Sequence, residues 1–141
     1  MDTDPAGPVE LLGEDECWAL LRSSSLGRLA VSVANEPNIY PVSFVAADHR
    51  LLFLTSPGTK LAELTVNSQV AFETDGVEAD EAWSVVVKGT ARALDSQYDI
   101  DAAAELSLRS IDPTLKYVYV EITPHEVTGR RFKVGQDPEP T

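Results

Sequence analysis

Arg50-Leu51-Leu52-Phe53-Leu54-Thr55-Ser56-Pro57-Gly58-Thr59-Lys60-Leu61-Ala62-Glu63-Leu64 is the stretch on which the reading of this chain turns. Leu51, Phe53 and Thr55 alternate with Leu52 and Leu54, which predicts a strand. Leu61 and Leu64 then share one face of a short helix. The turn between them carries the hydroxyls of Thr55, Ser56 and Thr59, a flexible Gly58 and the ammonium of Lys60. Free backbone N–H groups and the positive end of a helix dipole meet at such a place, so it suits a phosphate. The Gly-x-x-x-x-Gly-Lys-Ser/Thr spacing of a P-loop is absent. Taken alone, the turn reads as an ordinary strand-to-helix connection with Thr59 as the N-cap.

Working outward, the 141 residues suit one domain with a real core, and 43% hydrophobic content makes the chain globular. Eleven Lys and Arg against 23 Asp and Glu give a net charge of −12. That balance excludes a nucleic-acid or anionic-membrane partner, which would need a basic face. It also means that an anionic ligand needs a local positive site. A single cysteine, Cys17, leaves no internal disulfide and implies a reducing, cytoplasmic setting. No apolar run approaches membrane-spanning length.

Residues 1–13 are acidic and Pro-containing, unlike a signal peptide, and are read as a mobile lead-in. Residues 135–141 are read as a mobile tail, and residues 14–134 as the domain. Residues 14–22 predict a helix with an acidic first turn, with Cys17, Leu20 and Leu21 on one face. Strands follow at 27–33 and 39–46, with a turn at 35–38 and another at Asp48-His49. Such short connections make antiparallel hairpins. Beyond the short helix come a strand at 69–74, an acidic loop at 75–82 and the longest strand at 83–93, with Gly89 allowing a bend. Residues 96–111 predict a helix, and strands at 116–122 and 127–134 complete the chain. Several short antiparallel strands with few helices indicate a closed or partly closed barrel.

Four pieces now carry a resemblance, in order: Leu26-Gly27-Arg28-Leu29-Ala30, Tyr40-Pro41-Val42-Ser43-Phe44, Leu54-Thr55-Ser56-Pro57-Gly58-Thr59-Lys60 and Trp83-Ser84-Val85-Val86-Val87-Lys88-Gly89. Gly129-Arg130-Arg131-Phe132 adds to them. Together they resemble the flavin-binding split-barrel family related to pyridoxamine 5′-phosphate oxidase, in its short bacterial, nitroimidazole-reductase-like branch. The resemblance implies a mainly β fold with a few α-helices: a six-stranded antiparallel split β-barrel of Greek-key type. It implies a homodimer with FMN in a groove between subunits. Pro41, Val42, Ser43 and Phe44 match the strand along the isoalloxazine ring. Thr55 and Ser56 match the turn beside the ring and ribityl chain, and Thr59 and Lys60 match the phosphate site. Trp83 and Ser84 match positions that reach the flavin from the partner subunit. Arg131 stays outside this set. The physics agrees at Pro41, which lacks an N–H and so needs an edge or groove beside it. The C-terminal Arg/His/Arg cluster with which the founding enzyme holds its vitamin phosphate is absent, so its name does not become the function.

The other candidates are weaker. His49 and His125 fall in turns and Cys17 on an apolar helix face, so neither a transition-metal site nor a thiol nucleophile is evident. No Gly-x-Ser-x-Gly nucleophile elbow exists. No catalytic side chain is assigned. The expected function is an FMN-dependent oxidoreductase that passes a hydride between a reduced nicotinamide and a small electron-poor substrate, with the cofactor carrying the chemistry. The alternatives are a flavin or haem holder without turnover, and a reductase using the deazaflavin coenzyme.

Overall fold

The computed structural model describes residues 9–106 and 117–134. In chain order they form β1 (Glu10–Leu12), α1 (Glu14–Arg22), β2 (Leu26–Val33), β3 (Glu36–Ala47), β4 (Arg50–Thr55), α2 (Thr59–Val66), β5 (Gln69–Glu78), β6 (Glu81–Ala93), α3 (Gln97–Ala104) and β7 (Val118–Lys133). All pairings are antiparallel. The strands run β7-β4-β3-β2-β5-β6, and β6 returns to β7, so β2 to β7 close the barrel. β1 is a seventh strand outside the ring, laid on β7 with Leu11 opposite Arg130. The domain therefore takes up the chain earlier than Glu14.

Strand alternation fills the barrel. Leu29, Val31, Val42, Phe44, Phe53, Phe72, Val85, Val87, Val120 and Ile122 all point inward and are buried. α1 adds Cys17, Trp18 and Leu21 beside the β3–β4 turn, where the Trp18 and His49 rings meet edge-on at 4.9 Å. α2 adds Leu64, and at its end the Asn67 side chain donates to the Ser32 carbonyl at 2.8 Å. α3 lies outside the barrel and buries Leu52 and Leu94 against Ala103.

Several boundaries differ from the sequence expectation, for identifiable reasons. The β2–β3 turn is the pair Ala34-Asn35, both left-handed (φ 53° and 65°), and β3 starts at Glu36. Asp48-His49 repeats that geometry (φ 54° and 59°), which suits the twist of a two-residue hairpin. The expected acidic loop at 75–82 is instead a hairpin, with Glu78 paired to Glu81. Its acidic side chains face solvent while Trp83 packs over Gly76, so the ladder forms without burying charge. The last two expected strands are one strand, β7, whose 16 residues make it longer than β6. A bulge at His125 of β7, opposite the Lys88-Gly89 step, lets the ladder continue past Pro124. α3 is capped by the Ser96 hydroxyl, which accepts from the Asp99 N–H. It ends at Ala104 with Glu105 as C-cap, short of the expected end at Ile111; Leu108 and Ile111 themselves fall outside the described residues.

One close approach holds β2 against the core. A Cβ on Gly27 would sit 2.3 Å from the Phe72 ring and 2.8 Å from the Glu73 carbonyl oxygen. Phe72 has no easy retreat, because it meets Phe44 edge-on at 4.6 Å. Gly27→Ala should therefore cost about 1–3 kcal/mol in urea denaturation, the usual range for overpacking. Gly13→Ala, with nothing within 4 Å of the added methyl, should lose much less.

Candidate functional site

The barrel is split between β3 and β4. Their ladder runs from Ala47 opposite Arg50 to Phe44 opposite Phe53 and stops. Beyond it, Leu54 and Thr55 follow β7, opposite Tyr119 and Val118. The segment of β3 from Glu36 to Ser43 keeps β2 as its strand partner, and among the described residues no strand pairs with its other edge. Pro41 lies in that segment, where its missing N–H costs least. The four ring-strand residues divide by parity. Val42 and Phe44 are buried in the barrel, whereas Pro41 and Ser43 are exposed on the outer face.

At the open end of the split lies the turn into α2. Gly58 is the N-cap, with extended backbone and no side-chain cap, and Thr59 is the first helical residue. This corrects the expected Thr59 cap, and it leaves the first N–H groups of the helix without an internal acceptor. Thr55 is buried, and its hydroxyl donates to the Ser56 carbonyl at 3.2 Å. Ser56 and Thr59 are exposed, and among the described residues their hydroxyls have no protein partner.

Lys60 is half-buried. Its Nζ lies 5.4 Å from the centre of the Tyr40 ring and 6.0 Å from that of Phe53. Among the described residues no carboxylate pairs with it. Burial holds its ammonium below the ordinary lysine range. A desolvated cation beside uncapped N–H groups is a place for an anion.

Three neighbours of Lys60 received no role from the sequence. Glu63, one turn further along α2, accepts from the Asn38 side chain at 2.6 Å and from the Tyr40 hydroxyl. These bonds tie α2 to the open stretch of β3. The Glu63 bond also pushes the Tyr40 phenol up, so it stays a donor. Tyr40 stands in the motif next to Pro41, but nothing in the sequence places Glu63 opposite it.

Trp83 and Ser84 lie elsewhere in the barrel. β6 is separated from β3 by β2 and β5. Trp83 is half-buried and lines a cavity of about 290 Å³ with Glu10, Leu20, Glu78, Glu81 and Arg131. Arg131 is bound to Glu16 at 2.8 Å and does not face the split. Cys17 is a packed core residue, and its burial, then the charges of Glu16 and Glu14, pushes its thiol up. Among the described residues no group of His, Cys, Asp and Glu is arranged to hold a metal, and no helix is long and apolar enough to cross a membrane.

Comparison with known proteins now adds to the geometry. Residues 13–131 match the family model described as pyridoxamine 5′-phosphate oxidase. The chain belongs to the pyridoxamine 5′-phosphate oxidase family. An uncharacterized protein of Mycobacterium tuberculosis is 37% identical over 89 residues, covering 63% of this chain and 81% of that one. The FAD binding protein of Mycobacterium smegmatis is 38% identical, with a TM-score of 0.80 over 89% of this chain and 100% of that one. An FAD-binding protein of Mesorhizobium loti shares the fold at 22% identity, with a TM-score of 0.76 over 87% and 97% of the two chains. The antiparallel split barrel of this family is thus the fold of this chain, and the β3–β4 split is where it opens.

The state of Lys60 gives a test that needs no ligand. The folded protein releases the Lys60 proton at lower pH than the unfolded chain, whose lysines titrate near about 10.4. In that window the unfolded state binds more protons, so stability rises with pH. Lys60→Met should remove that rise. Urea melts of both proteins from neutral to alkaline pH measure it as a difference between the two curves.

Proposed function

We propose that this protein binds a flavin nucleotide, FMN, in the split between β3 and β4. It uses the flavin to pass a hydride or electrons between a reduced nicotinamide and a small electron-poor substrate. The observation that carries this reading is Lys60: half-buried, at the uncapped start of α2 and, among the described residues, without a carboxylate partner and beside a β3 edge that no strand covers. The residues present fit the group. Lys60 and the first N–H groups of α2 meet the phosphate, with the Ser56 and Thr59 hydroxyls as further donors. Ser43 offers its N–H and C=O, and Pro41 its C=O, along the open edge, while Val42 and Phe44 turn their backbone groups to β2 and Thr55 ends β4 across the split. The bound flavin supplies the redox chemistry. The chain orients the ring and neutralises the phosphate, and no side chain is required as a general acid.

FAD is the competing nucleotide, favoured by the 38%-identical FAD binding protein of Mycobacterium smegmatis. Mass analysis of the cofactor released from purified protein separates the two, and also identifies a deazaflavin or haem. Bleaching by NADH or NADPH, with recovery on adding a nitro compound or quinone, marks turnover rather than holding. A charge-assisted hydrogen bond is worth about 1.5–3 kcal/mol, so Lys60→Ala should weaken FMN by roughly 10- to 150-fold. Riboflavin, which has no phosphate, should hardly respond. Equal losses for both ligands in fluorescence titration would remove Lys60 as the anchor.

The same reading takes the protein to be a two-fold homodimer, in which Trp83 and Ser84 approach the flavin held by the partner subunit. An apolar strip on the outer face supports it, with Ile39 68% and Leu26 56% exposed beside Pro41 and Ser43. Dimerisation would cover that strip. Sedimentation should show a dimer, and Leu26→Asp with Ile39→Asp should give a monomer with reduced flavin content. A wild-type monomer with cofactor bound would overturn the dimer.

A further inference from the structure

Lys60 and Glu63 are three residues apart on one helix, a spacing at which a Lys and a Glu ordinarily pair. Here they do not. Both Glu63 oxygens are taken, Oε2 by the Asn38 amide at 2.6 Å and Oε1 by the Tyr40 hydroxyl. The Lys60 ammonium lies instead against the Tyr40 and Phe53 rings. The Tyr40 side chain thus acts on both members of the potential pair, since its hydroxyl holds Glu63 and its ring receives Lys60. Asn38 and Tyr40 project from the stretch of β3 that has no partner on its β4 side.

We propose that Asn38 and Tyr40 are positioning residues that hold Glu63 away from Lys60, so that the ammonium stays open to the phosphate of an incoming nucleotide. This rests on Lys60 as the phosphate anchor. A carboxylate one turn from an anion site would otherwise do two kinds of harm: it would neutralise Lys60 and repel the phosphate. Neutral donors lessen both without adding a charge, because one on each oxygen fixes the direction of the Glu63 carboxylate and holds it off the ammonium. The device also links the ring strand to the phosphate turn. The residue before Pro41 sets the charge state of the place where α2 begins.

The test uses the full chain and two readouts. Tyr40→Phe with Asn38→Ala removes both donors but keeps the ring that Lys60 faces. FMN affinity should fall about tenfold or more, the loss expected when one charge-assisted contact is compromised, while riboflavin affinity holds. Adding Glu63→Gln, which cannot neutralise Lys60, should restore FMN binding. In parallel, NMR titration of the Lys60 side chain without flavin should show its pKa rising in the double variant, as Glu63 turns toward it. It should fall back in the triple variant. Unchanged Lys60 titration in the double variant would overturn the inference. Equal loss of FMN and riboflavin without rescue by Glu63→Gln would also overturn it, because that marks a merely structural tie. If the titration shifts as expected while Lys60→Ala leaves FMN affinity intact, the pairing control stands and the phosphate anchor falls.

Discussion

The structure depends on where one ladder ends. β3 and β4 pair from their turn as far as Phe44 and Phe53, and beyond that each keeps only its other neighbour. β3 runs on beside β2, and β4 runs on beside β7, which it has paired since Leu51. Backbone groups left on the free side of β3 need partners, and open edges are costly and hazardous when left bare. α2 is tied to that stretch by side chains alone, with Glu63 accepting from Asn38 and Tyr40. What is left uncovered is a slot with backbone on one wall and a helix N-terminus at one end. The closing contact between β6 and β7 lies on the far side of the ring, so the opening does not unravel the barrel.

Charge is arranged around the same opening. The chain carries −12 overall, and most of the arginines with a described role are committed. Arg28 is bound by Glu73 and Asp75, at 2.6 and 2.9 Å. Arg50 and Arg92 share the buried Glu121, and Arg131 holds Glu16. Lys60 stands apart from this pattern, because its near neighbours are aromatic faces. Leaving a cation half-buried and unpaired costs folding free energy.

The strands with an inward apolar alternation were legible from the sequence, because that alternation is the imprint of a closed core. The helix at Glu14–Arg22 was legible to the residue, since its acidic start and serine stop agree with its apolar face. β1 was not, because three residues that pair only along β7 leave no period to read. The hairpin at Glu78 and Glu81 was hidden by acidic residues with poor strand propensity, where cross-strand pairing and the packing of Trp83 on Gly76 prevail. At the site, Pro41 and Lys60 were visible as special. Glu63 was not, because its role exists only once α2 has crossed the barrel end to meet Asn38 and Tyr40.

β7 brings the schedule of folding into view. It follows every other described strand in the chain, yet it pairs with β1, β4 and β6. During synthesis, β2 to β6 emerge with no means of closing, and the outer edges of β4 and β6 wait for a partner that has not been made. Contacts of such long sequence separation form slowly, and exposed edges in the interval invite association between chains. The nascent chain therefore passes through a stage in which its greatest exposure to misassembly comes just before β7 leaves the ribosome.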